Sequence, residues 1–188
     1  MSAASDRPRQ GRDLRIVVMG VSGCGKTTLA RALSERLRLD MVDGDDLHLP
    51  ESIRKMSSGI ALQDEDRWPW LDRIGEYLAA SDGGSARGRV VACSALRRAY
   101  RDRIRAHAGD VAFVFLHGDA PTIHQRMAGR VGHYMQPGLL ESQLRTLEVP
   151  GPDETDVLHL GIDPPVGTQV ECTLRALALD APASPSPA

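Results

Sequence analysis

The chain has 188 residues, 41% of them hydrophobic and 26% charged, with a formal net charge of −2; that is enough for one globular domain with a real core. A balance this close to neutral excludes a molecule-wide field that would recruit nucleic acid or an anionic membrane, so neither is an expected partner and any anionic ligand needs a local basic cluster. Cys24, Cys93 and Cys172 form no Cys-x-x-Cys pair, and the apolar run Leu14–Met19 is too short for a signal-peptide core or a membrane span, so the expectation is a cytoplasmic protein without a disulfide framework or zinc site.

Residues 1–13 are polar and aperiodic and read as a disordered lead; 180–188 are Pro/Ala/Ser-rich and read as a disordered tail, leaving 14–179 as a single domain. Leu14–Met19, with Ile16, Val17 and Val18, predicts a buried strand. Apolar residues at 29, 30, 32, 33 and 37 predict a helix over Lys26–Leu37. Short strands follow at Asp40–Val42, Arg89–Cys93, Val111–Leu116 and Val157–Ile162. Helical patterns cover Glu51–Ser58, Asp66–Ala80, Arg97–His107, Pro121–Arg130, Gly138–Glu148 and Gly167–Leu179, with Pro69 expected in a first helical turn. The alternation predicts an α/β fold: a parallel sheet with helices on both faces, binding ligands at the carboxyl ends of its strands.

Gly20-Val21-Ser22-Gly23-Cys24-Gly25-Lys26-Thr27 matches G-x-x-x-x-G-K-[ST] at every fixed position, after a strand and before a helix. Backbone N–H groups of such a loop face phosphate oxygens, and the helix adds its positive dipole end. Lys26 reaches the β/γ-phosphates and the Thr27 hydroxyl ligates Mg²⁺, so ATP and Mg²⁺ are the expected cofactors, with Thr28 completing the nucleotide-binding segment. Cys24 reads as a small filler inside the loop.

The loop does not name the phosphate acceptor. No Asn/Thr-Lys-x-Asp segment is present, as a GTPase would carry. The strand Val90-Val91-Ala92 runs into Cys93-Ser94-Ala95, without the strand-terminal Asp of a motor or AAA-type ATPase. The carboxylates come early, as Asp43-Gly44-Asp45-Asp46, which resembles the metabolite-kinase branch.

Four linked motifs, spanning about residues 16–177, then resemble the gluconokinase family. They are Asp43-Gly44-Asp45-Asp46-Leu47-His48, Lys55-Met56 through Asp64, Asp66-Arg67 and Trp70-Leu71, Cys93-Ser94-Ala95-Leu96-Arg97-Arg98 with Tyr100-Arg101, and Leu116-x-Gly118 with Arg126, Arg130 and Gly132-His133. Ser52 stands where that family has Asn, Ala61 where it has Pro, and Arg97 where Lys is commoner. The resemblance implies a P-loop kinase-type three-layer fold with a helical lid at about 126–148. It implies ATP-dependent phosphorylation of D-gluconate at its 6-position, and a homodimer as a candidate assembly.

In that reading Asp45 accepts or orients the substrate hydroxyl's proton and Asp43 serves the Mg²⁺ shell, a division the sequence leaves open beside a plain Asx turn. His48, Lys55, Arg97, Arg101 and His133 are candidates for the acceptor's carboxylate and hydroxyls. Arg97 and Arg101, four apart, are expected on one helix face. Position 52 is a candidate substrate contact. Arg126 and Arg130 are expected to close over the phosphates. Asp64 and Asp66 read either as part of the family signature or as caps of the following helix. The turn Ile162-Asp163-Pro164-Pro165 is the expected adenine wall. A shikimate kinase would carry a Gly-Gly-Gly run where Cys93-Ser94-Ala95 stands, and a nucleoside monophosphate kinase would need more than 4% aromatics. A non-catalytic nucleotide-binding regulator would not need Lys26, Thr27 and Asp45 together.

Overall fold

In the run Leu14–Met19 every residue but Arg15 is buried, whichever way it points, so this strand has to lie inside a sheet covered on both faces. The computed structural model describes residues 13–80, 87–128 and 139–179, and places it there. In chain order the elements are β1 (Leu14–Met19), α1 (Lys26–Leu37), β2 (Asp40–Asp43), a single 3₁₀ turn (Gly44–Leu47), α2 (Pro50–Ser57), α3 (Asp64–Ala79) and β3 (Gly88–Ala92). They continue with α4 (Arg98–Ala108), β4 (Ala112–His117), α5 (Ala120–Ala128), α6 (Leu139–Thr146), β5 (Val157–Gly161) and α7 (Val166–Ala176). The strands form one sheet in the order β2-β3-β1-β4-β5, every pair parallel.

The period of two splits β1 between two cores. Ile16 and Val18 join Leu29 and Leu33 of α1 and Val170 and Leu174 of α7 on one face. Val17 and Met19 join Leu71, Ile74 and Leu78 of α3 and Ile104 of α4 on the other. Each such side chain, fully buried, contributes about 1.5–3 kcal/mol. The predicted three layers are therefore present, and the predicted elements fall within a few residues of those observed. Among the described residues no helix is long and apolar enough to cross a membrane.

Two expectations change. Helix α3 begins at Asp64 rather than Asp66, so Pro69 lies past the first turn and leaves the Glu65 carbonyl without its helical donor. Arg97 is the N-cap of α4, outside the helix, so it does not share a helix face with Arg101. The expected lid at 126–148 falls partly on residues outside the described ones. Of the rest, α6 sends Leu140 into the core beside Ile123, with Leu144 and Leu147 packed against it.

Arg101 is the main correction. Expected to face a ligand, it is 1% exposed and paired with Glu154, Nε and Nη2 donating to the two carboxylate oxygens at 2.8 and 2.6 Å. Its Nη1 donates to the carbonyls of Ala95 and Leu96 at 3.2 and 3.3 Å. Arg105 adds bonds to Glu154 at 2.8 Å and Asp156 at 2.7 Å. The Arg101 and Arg105 bonds hold the Glu154 carboxyl down to about 2, against an ordinary value of 4.5. Arg101→Ala, which strands a buried carboxylate, should lower unfolding free energy by roughly 3–5 kcal/mol in urea titrations; a loss below about 1 kcal/mol would be the level of an exposed pair. Because the folded value lies below 4.5, this stabilisation is complete above pH 4.5 and is lost as pH falls towards 2. Glu154→Gln should flatten the stability–pH slope across that window; an unchanged slope would contradict the assignment.

Candidate active site

The phosphate loop leaves β1 at Gly20, whose N–H donates to the Ser94 carbonyl at 3.3 Å. Gly20 has φ 137°, and a Cβ there would lie 2.5 Å from the Leu116 carbonyl oxygen, so no other residue fits between these strand ends. The loop turns into α1 through Gly25, the helix N-cap, and Lys26 opens the helix. Lys26 Nζ donates to the Val21 carbonyl at 3.1 Å. Cys24 is buried within the loop, as a filler would be, and Thr28 is exposed on the first helical turn. The Ser22 N–H donates to Gln143 Oε1 of α6 at 2.6 Å. No signal in the sequence singles out Gln143, since its partner lies 121 residues away.

The acidic end of β2 meets this loop. Thr27 Oγ1 donates to Asp43 Oδ2 at 2.9 Å, while Asp43 Oδ1 accepts the Asp45 N–H at 3.2 Å and so caps the 3₁₀ turn. The Asx turn weighed from the sequence is thus present, and the same carboxylate also faces the loop. Thr27 and Asp43 offer adjacent hard oxygens, the donor set Mg²⁺ takes when nucleotide phosphates and water complete its shell. Among the described residues no group of three or more His, Cys, Asp or Glu could hold a metal alone. Asp45 is exposed, yet surrounding protein mass and then the Asp43 carboxylate raise its carboxyl above the usual range, with His48 and Lys26 pulling the other way.

A basic cluster continues from Asp45. His48 is buried and stacked on Trp70, ring centroids 4.3 Å apart, and Trp70 Nε1 donates to the Gly44 carbonyl at 2.6 Å. Burial, with a further push from Arg67, lowers the His48 imidazole below its ordinary value although Asp45 pulls it up, and its Nδ1 has no hydrogen-bond partner among the described residues. Arg67 donates to Asp64 at 3.4 Å, as does Arg97 at 2.7 Å, and the Tyr100 hydroxyl donates to Asp64 at 2.5 Å. The Tyr100 bond, then Arg97 and Arg67, hold Asp64 below the usual carboxylate range. Lys55 pairs with Asp66 at 2.5 Å, and Asp66 also closes the capping box with Gln63. The sequence offered capping or a family signature for these aspartates; Asp66 caps, whereas Asp64 is the hub of the arginines.

Of the expected ligand contacts, then, Asp45, His48, Lys55 and Arg97 lie along one chain of interacting groups, and Arg101 is withdrawn into its buried pair. Ser52 is also withdrawn: 3% exposed, it donates to the Asp66 carbonyl at 3.4 Å and ties α2 to α3. Arg126 Nη2 donates to the Ile162 carbonyl at 2.7 Å, joining α5 to the expected adenine wall. Arg130 and His133 lie outside the described residues. Trp70 and Tyr100, which in the sequence are only letters of the family motifs, are the rings that organise this cluster, Trp70 under His48 and Tyr100 on Asp64.

Comparison with known proteins fits this geometry. A family model described as an AAA domain matches residues 16–142, the stretch from β1 into α6. Within it β3 ends at Ala92 and runs into Cys93, so the strand-terminal Asp expected of a motor-type ATPase is missing and the match marks the nucleotide-binding unit. A probable gluconokinase of Schizosaccharomyces pombe is 42% identical over 78% of this chain and 79% of its own length. The thermosensitive gluconokinase of Escherichia coli is 41% identical over 87% of each chain. The crystal structure of a gluconokinase from Sinorhizobium meliloti superposes with a TM-score of 0.77 at 46% identity, covering 88% of this chain and 91% of that one. A phosphate loop bonded to an acidic strand end, beside a basic cluster and with this likeness running through almost the whole domain, leaves one assignment: the chain belongs to the gluconokinase family.

Proposed function

We propose that the protein transfers the γ-phosphoryl group of ATP to D-gluconate, giving 6-phospho-D-gluconate and ADP. The observation that carries the reading is the Thr27–Asp43 bond at 2.9 Å, which sets the acidic strand end against the phosphate loop and Asp45 at its rim. The loop N–H groups, Lys26 and the start of α1 hold the triphosphate. The sugar-acid hydroxyl attacks the γ-phosphorus, the bond to the ADP oxygen breaks, and the hydroxyl proton passes to Asp45. Mg²⁺, when bound, would be held by Thr27 and Asp43 and would neutralise phosphate charge. Because phosphoryl transfer passes through a loose, charge-spread transition state, the protein supplies mainly position and countercharge. His48, Lys55 and Arg97 hold the acceptor, and Arg126 stands at the nucleotide side. An ATP-consuming step on a free sugar acid fits the cytoplasm. A helical lid, with Arg130 and His133 contributing, completes the reading.

In a coupled ADP-release assay, gluconate should be turned over while shikimate and nucleoside monophosphates are not; equal or greater turnover of either would overturn the acceptor assignment. Asp45→Ala should retain ATP binding by calorimetry but lose turnover by at least about a hundredfold, the range of positioned acid–base groups; unchanged turnover removes Asp45 from the mechanism. Because the Asp45 carboxyl is raised and its ionised form is the working one, turnover should fall as pH drops through a value above the ordinary carboxylate range. Asp43→Asn removes a neighbouring negative charge, so the acid limb of the remaining activity should move to lower pH. A limb that stays put, or moves up, would show that another group is titrating.

A further inference from the structure

We propose that Gln143 is a positioning residue for phosphoryl transfer, holding the Val21–Ser22 peptide of the phosphate loop from α6; the proposal rests on the kinase reading above. The observation is a single peptide group gripped at both ends. Its carbonyl, on Val21, accepts from Lys26 Nζ at 3.1 Å, and its N–H, on Ser22, donates to Gln143 Oε1 at 2.6 Å. No peptide bond among the described residues is cis, so these two groups point in opposite directions across one rigid plane. Turning the plane would displace the Lys26 anchor and the Ser22 N–H together.

The loop offers little resistance to such a turn. Gly20 and Gly23 bracket the unit with φ of 137° and 83°, values open to glycine, and the loop's own bond to the Val21 carbonyl, from the Cys24 N–H, is long at 3.4 Å. Gln143 supplies the shorter grip, and α6 can hold it there. Leu140 is 2% exposed in the core one turn earlier, Leu144 and Leu147 pack against the same cluster, and the Glu148 N–H donates to the Leu96 carbonyl at 2.8 Å. The residue type suits the task. A glutamine oxygen accepts the N–H without adding negative charge beside a triphosphate; leucine has no acceptor, and asparagine is one methylene short.

The effect should fall on kcat. The remaining loop amides and Thr27 still grip the phosphates in the ground state, whereas a displaced Lys26 weakens countercharge at the transferring group. Gln143→Leu keeps the volume and loses the acceptor: kcat should fall about tenfold, with KM for gluconate within about threefold of the unsubstituted protein, as loss of positioning rather than of binding would give. Gln143→Glu restores an acceptor at the same reach, so kcat should return to within about threefold, while KM for ATP rises because a carboxylate now faces the phosphates. Ser22→Pro removes the N–H itself, and adding Gln143→Leu to it should cost less than about twofold more. Unchanged kcat in Gln143→Leu, equal slowing in Gln143→Glu, or a full extra tenfold loss in the Ser22→Pro background would each overturn the proposal. Should Gln143→Leu fold poorly, the Gln143→Glu comparison and its KM for ATP decide alone. All ratios are taken on whichever acceptor the unsubstituted protein turns over, so inactivity towards gluconate would sink the acceptor assignment and leave this test standing.

Discussion

Parallel pairing puts Val18 of β1, Ala92 of β3 and Asp43 of β2 in one row across the sheet, and the site is built from the turns that leave this row. One or two residues on, β1 releases the phosphate loop, β3 the Cys93-Ser94-Ala95 turn, and β2 the Gly44-Asp45 turn. The row is closed by backbone bonds: the Cys93 N–H donates to the Val18 carbonyl at 3.0 Å and the Gly20 N–H to the Ser94 carbonyl at 3.3 Å. A Cβ on Gly44 would lie 2.8 Å from the Ala92 carbonyl, so the acidic turn can press against β3 only through glycine. A one-residue slip of β2 would carry Asp43 to the opposite face and away from Thr27. The register of a buried sheet is therefore what makes the carboxylates and the loop neighbours.

From that row the chemistry spreads by contacts that each fix a charge. Asp43 is used twice, by Thr27 and by the Asp45 N–H, which orients the turn and leaves Asp45 itself exposed. Trp70 holds the Gly44 carbonyl and stacks beneath His48, which fixes the buried imidazole beside the acidic turn. Burial lowers the His48 imidazole, Asp45 draws it up and Arg67 pushes it down, so this ring couples the acidic turn to the arginines of the cluster.

Much of this was legible in the sequence because it is local. The loop motif carries its own geometry, β1 and α1 were bounded correctly by apolar period alone, and Asp43 and Asp45 were recognisable from their place after the second strand. What was not legible depends on distant partners. Spacing of four between Arg97 and Arg101 implies a shared helix face only if both are in the helix, and Arg97 is the residue that caps it. Glu154, the partner that buries Arg101, stands 53 residues away in an irregular stretch with no periodic signal. Ser52 likewise has a carbonyl for its partner, which no pattern of side chains announces.

Exposure decides which of the cations can serve a ligand. Lys55 and Arg97 are 43% and 41% exposed, and their pairs with Asp66 and Asp64 are of the kind worth about 1 kcal/mol or less, so an incoming carboxylate can share or replace the partner at small cost. Arg101, at 1%, would have to abandon Glu154 in the interior at several kcal/mol, which no single ligand hydrogen bond offsets. Counting only the exposed network, Lys55, Arg67 and Arg97 face Asp64 and Asp66, three cations against two carboxylates. That local surplus of one positive charge stands in a chain whose net charge is −2, and it would suit the monoanionic acceptor of the proposed function.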